Sequence, residues 1–178
     1  ELNPSTALRI EGTGAGRTVW LDKGEAYFQI VHNKAHPFVV YAGNHRITDL
    51  GTKFLIRRND QNLRVALFEG KARFDMEDSR GSQEALLNPG DVVVATANSL
   101  SVAEHPREDL KDELGWQRGL LIFRHATLAE AAAEFNRYNR QKIVIADPKV
   151  ARLTIVGTFP ANDEEAIINT AREVFGQQ

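Results

Sequence analysis

The chain has 178 residues, of which 42% are hydrophobic and 26% are charged. A chain of this size can form one large domain or two small ones, with about 70% of its unfolded surface buried. Its 22 basic and 24 acidic residues give a net charge of −2, so it has no overall field to hold a phosphate backbone, and nucleic acid is not an expected partner. The absence of cysteine excludes disulfides, thiolate zinc sites and thiol nucleophiles.

Membrane and targeting signals are also missing from the sequence. No apolar run approaches the roughly 18 residues that a transmembrane helix needs. The chain begins at Glu1 and shows no signal-peptide pattern, so we expect a fragment or a processed form.

Residues 1–104 are predicted to form an all-β domain, a sandwich or short stacked β-sheets. Short segments of period two follow one another at the spacing of such folds, with no helical stretch between them. A turn is expected at Asp22–Gly24, and Pro89-Gly90 fits a type II turn, in which Gly90 takes positive φ. The predicted strands are 18–21, 25–31, 37–41, 53–57, 63–68, 71–76, 91–96 and 99–104.

Residues 105–115 are rich in charge and lose the alternation, so they are predicted to be a linker. Residues 116–178 are predicted to form a small α+β domain of βαβ-βα order, with strands at 119–123, 142–146 and 153–159. A capping box at Thr127 is expected to start the first helix. A second helix is expected from Asn162, with Glu165 in its capping box and Gly176 as its C-terminal cap.

The first half resembles the FecR-type sigma-factor regulator domain in five motifs. They are Arg17-x-Val-x-Leu-x-x-Gly-Glu-Ala-Tyr-Phe28, Pro37-Phe-Val-Val40, Leu50-Gly-Thr-x-Phe54, Leu67-x-Glu-Gly-Lys71 and Leu87-x-Pro-Gly90. The second half resembles the small secretin/TonB short N-terminal (STN) domain. Its motifs are Trp116-x-x-Gly-x-Leu-x-Phe123, Leu128-Ala-Glu130, Glu134-x-Asn-Arg-Tyr138, Ile143-Val-Ile145 and Gly157-x-Phe159.

This resemblance implies a regulator of a Gram-negative bacterium that crosses the inner membrane once and is not an enzyme. A cytoplasmic segment outside this sequence would hold an extracytoplasmic-function (ECF) sigma factor, as an anti-sigma factor does. The periplasmic part, to which this chain would correspond, would receive a signal from the N-terminal signalling domain of a TonB-dependent outer-membrane transducer. Such systems commonly control the uptake of iron siderophores. The resemblance implies no cofactor.

Partner-binding residues are expected on the last predicted strand, because an unpaired strand edge can recruit a strand from another protein. That strand carries Leu153, Ile155 and Phe159 on one face and Val156 on the other, and we expect Phe159→Ala to weaken docking while the fold persists. Arg137 and Arg140 are further candidates, although cations at a helix end also interact favourably with the helix dipole. Trp116, just after the linker, is a candidate for packing between the domains or within the second domain alone.

A cupin-like metal- or sugar-binding enzyme is the alternative, because Pro89-Gly90-Asp91 resembles a cupin turn. A metal cupin brings imidazole and carboxylate groups together on one ion. His32 and His36 could share a face only if a strand continued between them, and that segment has the composition of a turn. No metal site is therefore predicted. The Gly12–Gly16 run precedes a strand rather than a helix, so a loop is favoured over a phosphate site.

Overall fold

The computed structural model describes residues 1–11, 17–33, 35–60, 62–78, 81–96 and 99–175, with residues 78, 174 and 175 described by their backbone only. The chain divides into two compact units, Glu1–Leu110 and Lys111–Gln178.

The first unit is a β domain with ten strands in its described residues. They are β1 (Ala7–Glu11), β2 (Arg17–Gln29), β3 (Phe38–Ala42), β4 (His45–Asp49), β5 (Lys53–Arg58), β6 (Leu63–Glu69), β7 (Ala72–Asp78), β8 (Gly81–Leu87), β9 (Asp91–Ala95) and β10 (Leu100–Glu104). Helix α1 (Arg107–Glu113) lies in the segment predicted as a linker and spans the boundary between the units.

One hydrogen-bonded sheet joins these strands in the order β10-β9-β6-β5-β2-β3-β4-β7-β8, and β1 also pairs with β2. The first part of β2 pairs in parallel with β3, and its last part pairs antiparallel with β5. Strands from both halves of the sheet supply one apolar core, which includes Ile47, Phe54, Val65 and Phe74. The expected β architecture is therefore present, with a shared long strand in place of two separate sheets.

The turn predicted at Asp22–Gly24 is wrong, because β2 continues through it. Gly24 has φ of 93°, and a Cβ there would lie 2.5 Å from the Cα of Thr6. The Thr6 hydroxyl donates to the Glu25 carbonyl and accepts from the Glu25 N–H, both at 3.0 Å. Glycine at this point thus lets the N-terminal segment pack closely against an unbroken strand.

Three strands were not predicted, namely β1, β4 and β8. Most residues of β8 are exposed or half-buried, from exposed Ser82 to buried Leu87 at its end. The sequence of β8 therefore lacks the clear apolar alternation that predicts a strand. The type II turn is confirmed: Gly90 has φ of 107°, and the Asp91 N–H donates to the Asn88 carbonyl at 2.9 Å.

The second unit consists of a two-stranded antiparallel sheet packed with helices. Its elements are a 3-10 helix (Gly115–Arg118), β11 (Leu120–Thr127), α2 (Leu128–Tyr138), α3 (Pro148–Ala151), β12 (Thr154–Pro160) and α4 (Glu164–Phe175). The capping box is confirmed, because the Thr127 hydroxyl accepts from the Glu130 N–H and the Glu130 carboxylate accepts from the Thr127 N–H. Asp163, rather than the predicted Asn162, accepts from the first turn of α4 through the Ala166 N–H. The predicted cap at Gly176 lies outside the described residues.

The strand predicted at 142–146 is wrong, and with it the βαβ unit. No strand in the described part of the chain pairs with this segment, and the second sheet contains β11 and β12. The segment nevertheless alternates in burial: Ile143 and Ile145 pack against the core of the unit, and Val144 is 84% exposed.

Candidate functional site

An apolar groove of about 390 Å³ opens on the second unit. One wall is the segment Ile143–Asp147, which will be called the open segment. The other walls come from α2 and α4. They contribute Leu128, Ala132, Ile167 and Ile168. An apolar groove beside a segment of alternating burial is the geometry into which an added strand can place its own apolar side chains.

Helix α2 holds the start of the open segment through one side chain. The Asn136 amide donates to the Ile143 carbonyl at 2.9 Å, and the Ile143 N–H donates to Asn136 Oδ1 at 2.8 Å. This pair of hydrogen bonds is the kind that a neighbouring strand would otherwise make. Within the described part of the chain, the backbone of Val144 to Ala146 makes no hydrogen bond to another backbone group. The open segment therefore offers unpaired backbone groups next to the groove.

The predicted partner-binding residues of β12 have different environments. Ile155 and Phe159 are only 4% and 7% exposed and belong to the core of the unit. Their burial makes Phe159→Ala a test of stability rather than of docking. Val156 is 66% exposed and Leu153 is 36% exposed, so these two side chains remain accessible.

The predicted cations near the end of α2 do not form one cluster. Arg137 pairs with Glu134 on the same helix at 2.7 Å, and both side chains are mostly buried. Arg140 is exposed. Lys142 donates to the Asn136 and Asn139 carbonyls at 2.5 and 2.6 Å, which places a cation on the C-terminal end of the helix dipole.

Trp116 lies in the 3-10 helix of the second unit. Its indole Nε1 is buried and has no hydrogen-bond partner among the described residues. Packing between the domains remains a prediction for this side chain.

No three metal-ligating side chains approach each other in the described ranges of the chain. His32 and His36 are exposed, and the backbone N–H groups of Ala35 and His36 both donate to Asn33 Oδ1. The Gly12–Gly16 run lies outside the described residues.

The side chains of the first unit include several with shifted pKa values. The Arg9 guanidinium donates two hydrogen bonds of 2.8 Å to Asp22 and lowers the pKa of that carboxyl. Burial raises the pKa of Tyr27, and Glu69 raises the pKa of Lys53 through a hydrogen bond of 3.0 Å. None of these groups lies in the groove.

Sequence reasoning missed the groove and the exposed Val144 beside it. The only signal was the continuous apolar run Ile143–Ala146, which indicated a strand without showing whether it is paired. Only the positions of α2 and α4 show that apolar surface lies next to this segment.

Comparison with known proteins gives a family match for part of the chain and a fold match for nearly all of it. Residues 1–73 match the family described as FecR protein. Two crystal structures of a candidate anti-sigma factor from Parabacteroides distasonis ATCC 8503, at 1.65 and 2.50 Å resolution, are 24% identical to this chain, with a TM-score of 0.77. The match covers 98% of this chain and 82% or 81% of theirs. A search of curated proteins finds no match.

In the part of the chain that the structure describes, no helix is long and apolar enough to cross a membrane. Residues 1–73 thus match the FecR protein family, and the two units together have the fold of the Parabacteroides distasonis candidate anti-sigma factor.

Proposed function

We propose that this chain is the signal-receiving region of a sigma-factor regulator of the anti-sigma-factor type. The observation that carries this proposal is the match of residues 1–73 to the FecR protein family. The fold shared with a candidate anti-sigma factor over 98% of the chain supports it. In this function the chain acts in the periplasm as part of a protein anchored in the inner membrane. A segment outside this sequence holds an ECF sigma factor.

The second unit is the docking surface of this regulator. Its partner is the N-terminal signalling domain of a TonB-dependent outer-membrane transducer, in a pathway that controls iron-siderophore uptake. The support is the open segment, which combines unpaired backbone groups, an apolar groove and the 84% exposed Val144. The partner adds a strand there, so that backbone hydrogen bonds supply affinity and alternate side chains supply specificity. Val156 on β12 offers a second exposed apolar contact.

Isothermal titration calorimetry with the cognate signalling domain tests this function. We expect a complex with the unchanged chain and a loss of affinity of about tenfold or more for Val144→Asp, because a carboxylate would have to be desolvated in an apolar contact. Val31→Asp is the matched control, since Val31 is 82% exposed in the first unit. Its affinity should equal that of the unchanged chain.

Two results would contradict the proposal at different levels. If the unchanged chain gives no heat and no complex on gel filtration, the docking function is wrong. If the complex forms and Val144→Asp binds as tightly as Val31→Asp, docking stands and its assignment to the open segment is wrong.

A further inference from the structure

A second cavity, of about 1060 Å³, lies in the first unit and is unrelated to the docking groove. Its wall includes strands β4 and β7 and the turns that follow Asp49 and Glu69. Arg46 and Thr48 alternate onto the same face of β4, and Arg73 of β7 lies directly opposite Thr48 in the antiparallel register. Lys71 lies at the start of the same wall. The register of the two strands thus places Arg73 opposite the Thr48 hydroxyl and Asp75 opposite Arg46 on this face.

Basic side chains outnumber acidic ones in the cavity wall, which contains Arg46, Lys71 and Arg73 but only Asp49 among the described acidic residues. Arg73 pairs with Asp75 at 3.3 Å, but Arg46 and Lys71 have no acidic partner among the described residues. Asp49 also lines the cavity, and its carboxylate accepts a hydrogen bond from the buried Thr52 hydroxyl.

Two polar atoms at this wall are buried without a hydrogen-bond partner in the described part of the chain, Arg46 Nε and Thr48 Oγ1. Thr48 is only 6% exposed. A buried donor without a partner is costly, and native structures retain few of them. A guanidinium Nε–H and a hydroxyl that lack partners on the same face are donors that an oxyanion accepts from.

The rest of the cavity wall is mixed, with apolar Pro37, Leu50, Leu86 and Pro89 beside polar His32, Asn33 and Asp49. Leu50 and Leu86 line it and are 42% and 57% exposed, so both side chains are accessible to a ligand in the cavity. The two turns in its wall are in close contact: the Leu50 N–H donates to the Lys71 carbonyl at 3.1 Å, and a Cβ on Gly70 would lie 1.8 Å from the Gly51 oxygen. Cationic and apolar side chains therefore lie side by side in one cavity, with Leu86 directly opposite Arg73 in the register of β7 and β8.

We propose that this cavity binds a small amphipathic anion, with its carboxylate or phosphate group against Arg46 and Thr48 and its apolar part against Leu50 and Leu86. The carboxylate and phosphate classes share the oxyanion that these donors recognise. The proposal does not depend on the docking function, since every residue involved belongs to the first unit.

Titration of the ¹⁵N-labelled chain at constant ionic strength tests the proposal, with hexanoate, hexyl phosphate, inorganic phosphate and neutral hexanamide as probes. We expect hexanoate or hexyl phosphate to shift the amide signals of β4 and β7 with a Kd on the order of millimolar. Inorganic phosphate should bind more weakly, and hexanamide should cause no shifts. Whichever of the two amphipathic probes binds more tightly identifies the oxyanion class.

Variants separate a ligand site from a structural role. Arg46→Gln should weaken binding by about tenfold or more, because a charge-assisted hydrogen bond is lost. Arg118→Gln is the control, since Arg118 is exposed in the second unit. Thr48→Val should also weaken binding, yet raise the melting temperature of the ligand-free chain, because it removes an unpaired buried hydroxyl.

The proposal is overturned if hexanamide binds as tightly as hexanoate, or if neither amphipathic anion shifts the signals of β4. It is also overturned if Arg46→Gln and Thr48→Val both stay folded and bind as tightly as Arg118→Gln.

Discussion

Phe159→Ala is expected to destabilise the second unit strongly, and the reason is the aromatic cluster at its centre. The Phe159 ring centroid lies 6.0 Å from that of Phe123 and 6.1 Å from that of Phe135. Phe159 is 7% exposed and Phe135 is fully buried. Truncation at Phe159 therefore removes a ring that both neighbours contact and leaves a cavity between a strand and a helix.

The magnitude follows from the size of that cavity and of the unit. Phe→Ala changes in cores cost about 3–5 kcal/mol. A core as small as that of Lys111–Gln178 rarely supplies more than about 3–5 kcal/mol in total. In a domain of this size each kcal/mol shifts the melting temperature by about 4–8 °C, so the loss should exceed about 12 °C.

Thermal denaturation followed by amide NMR signals measures the change in melting temperature separately for the two units. Ala131 reports on the second unit and Val65 on the first, since both are fully buried in their own cores. We expect early loss of the Ala131 signal and no change at Val65. Val156→Ala on the same strand is the control, because a largely exposed side chain should change stability by no more than about 0.5 kcal/mol.

The reasoning would be refuted if Phe159→Ala lowered the melting temperature of the Ala131 signal no more than Val156→Ala does. That result would mean that the aromatic cluster does not hold β12 against α2. A folded Phe159→Ala chain with weakened docking would instead restore the sequence-based expectation for this residue.

Two further predictions concern the first unit. Gly70→Ala should destabilise the first unit by more than about 2 kcal/mol, because Gly70 has φ of 82° and an added Cβ would collide with the Gly51 oxygen. Urea denaturation measures this loss of stability, and an unchanged unfolding midpoint would contradict the turn geometry. Arg9→Gln should raise the pKa of Asp22 toward its ordinary value, because the guanidinium that lowers it is removed. In the unchanged chain the depressed pKa adds stability above the unfolded-state pKa, and this contribution is lost as pH falls through the folded-state pKa. Carboxyl NMR titration checks the shift, and an identical Asp22 curve in both chains would show that the ion pair does not form in solution.

Local signals were sufficient where a few neighbouring residues decide the structure. The capping box at Thr127 and the turn at Gly90 were both predicted correctly, because each depends on hydrogen bonds or φ angles within four residues. The strand prediction at 142–146 was wrong for the opposite reason. Whether an alternating segment is paired depends on a neighbour far away in the chain, and periodicity contains no information about it.

In the candidate site, too, local features were predicted from the sequence and long-range contacts were not. Val144 and Ile145 were placed in a predicted strand, but nothing local showed that α4 would bring Ile167 and Ile168 beside them. The burial of Phe159 likewise follows from its contact with α2.

The sequence by itself determined the class of each half, the caps and turns, and the resemblance to a sigma-factor regulator, because composition, period and short motifs act over a few residues. The tertiary structure decided which apolar side chains became core and which backbone segment stayed open. It also decided that Arg46 Nε and Thr48 Oγ1 are buried without a hydrogen-bond partner among the described residues. These outcomes depend on the register of strands and the packing of helices that are distant in the chain, and a one-dimensional pattern does not specify those contacts.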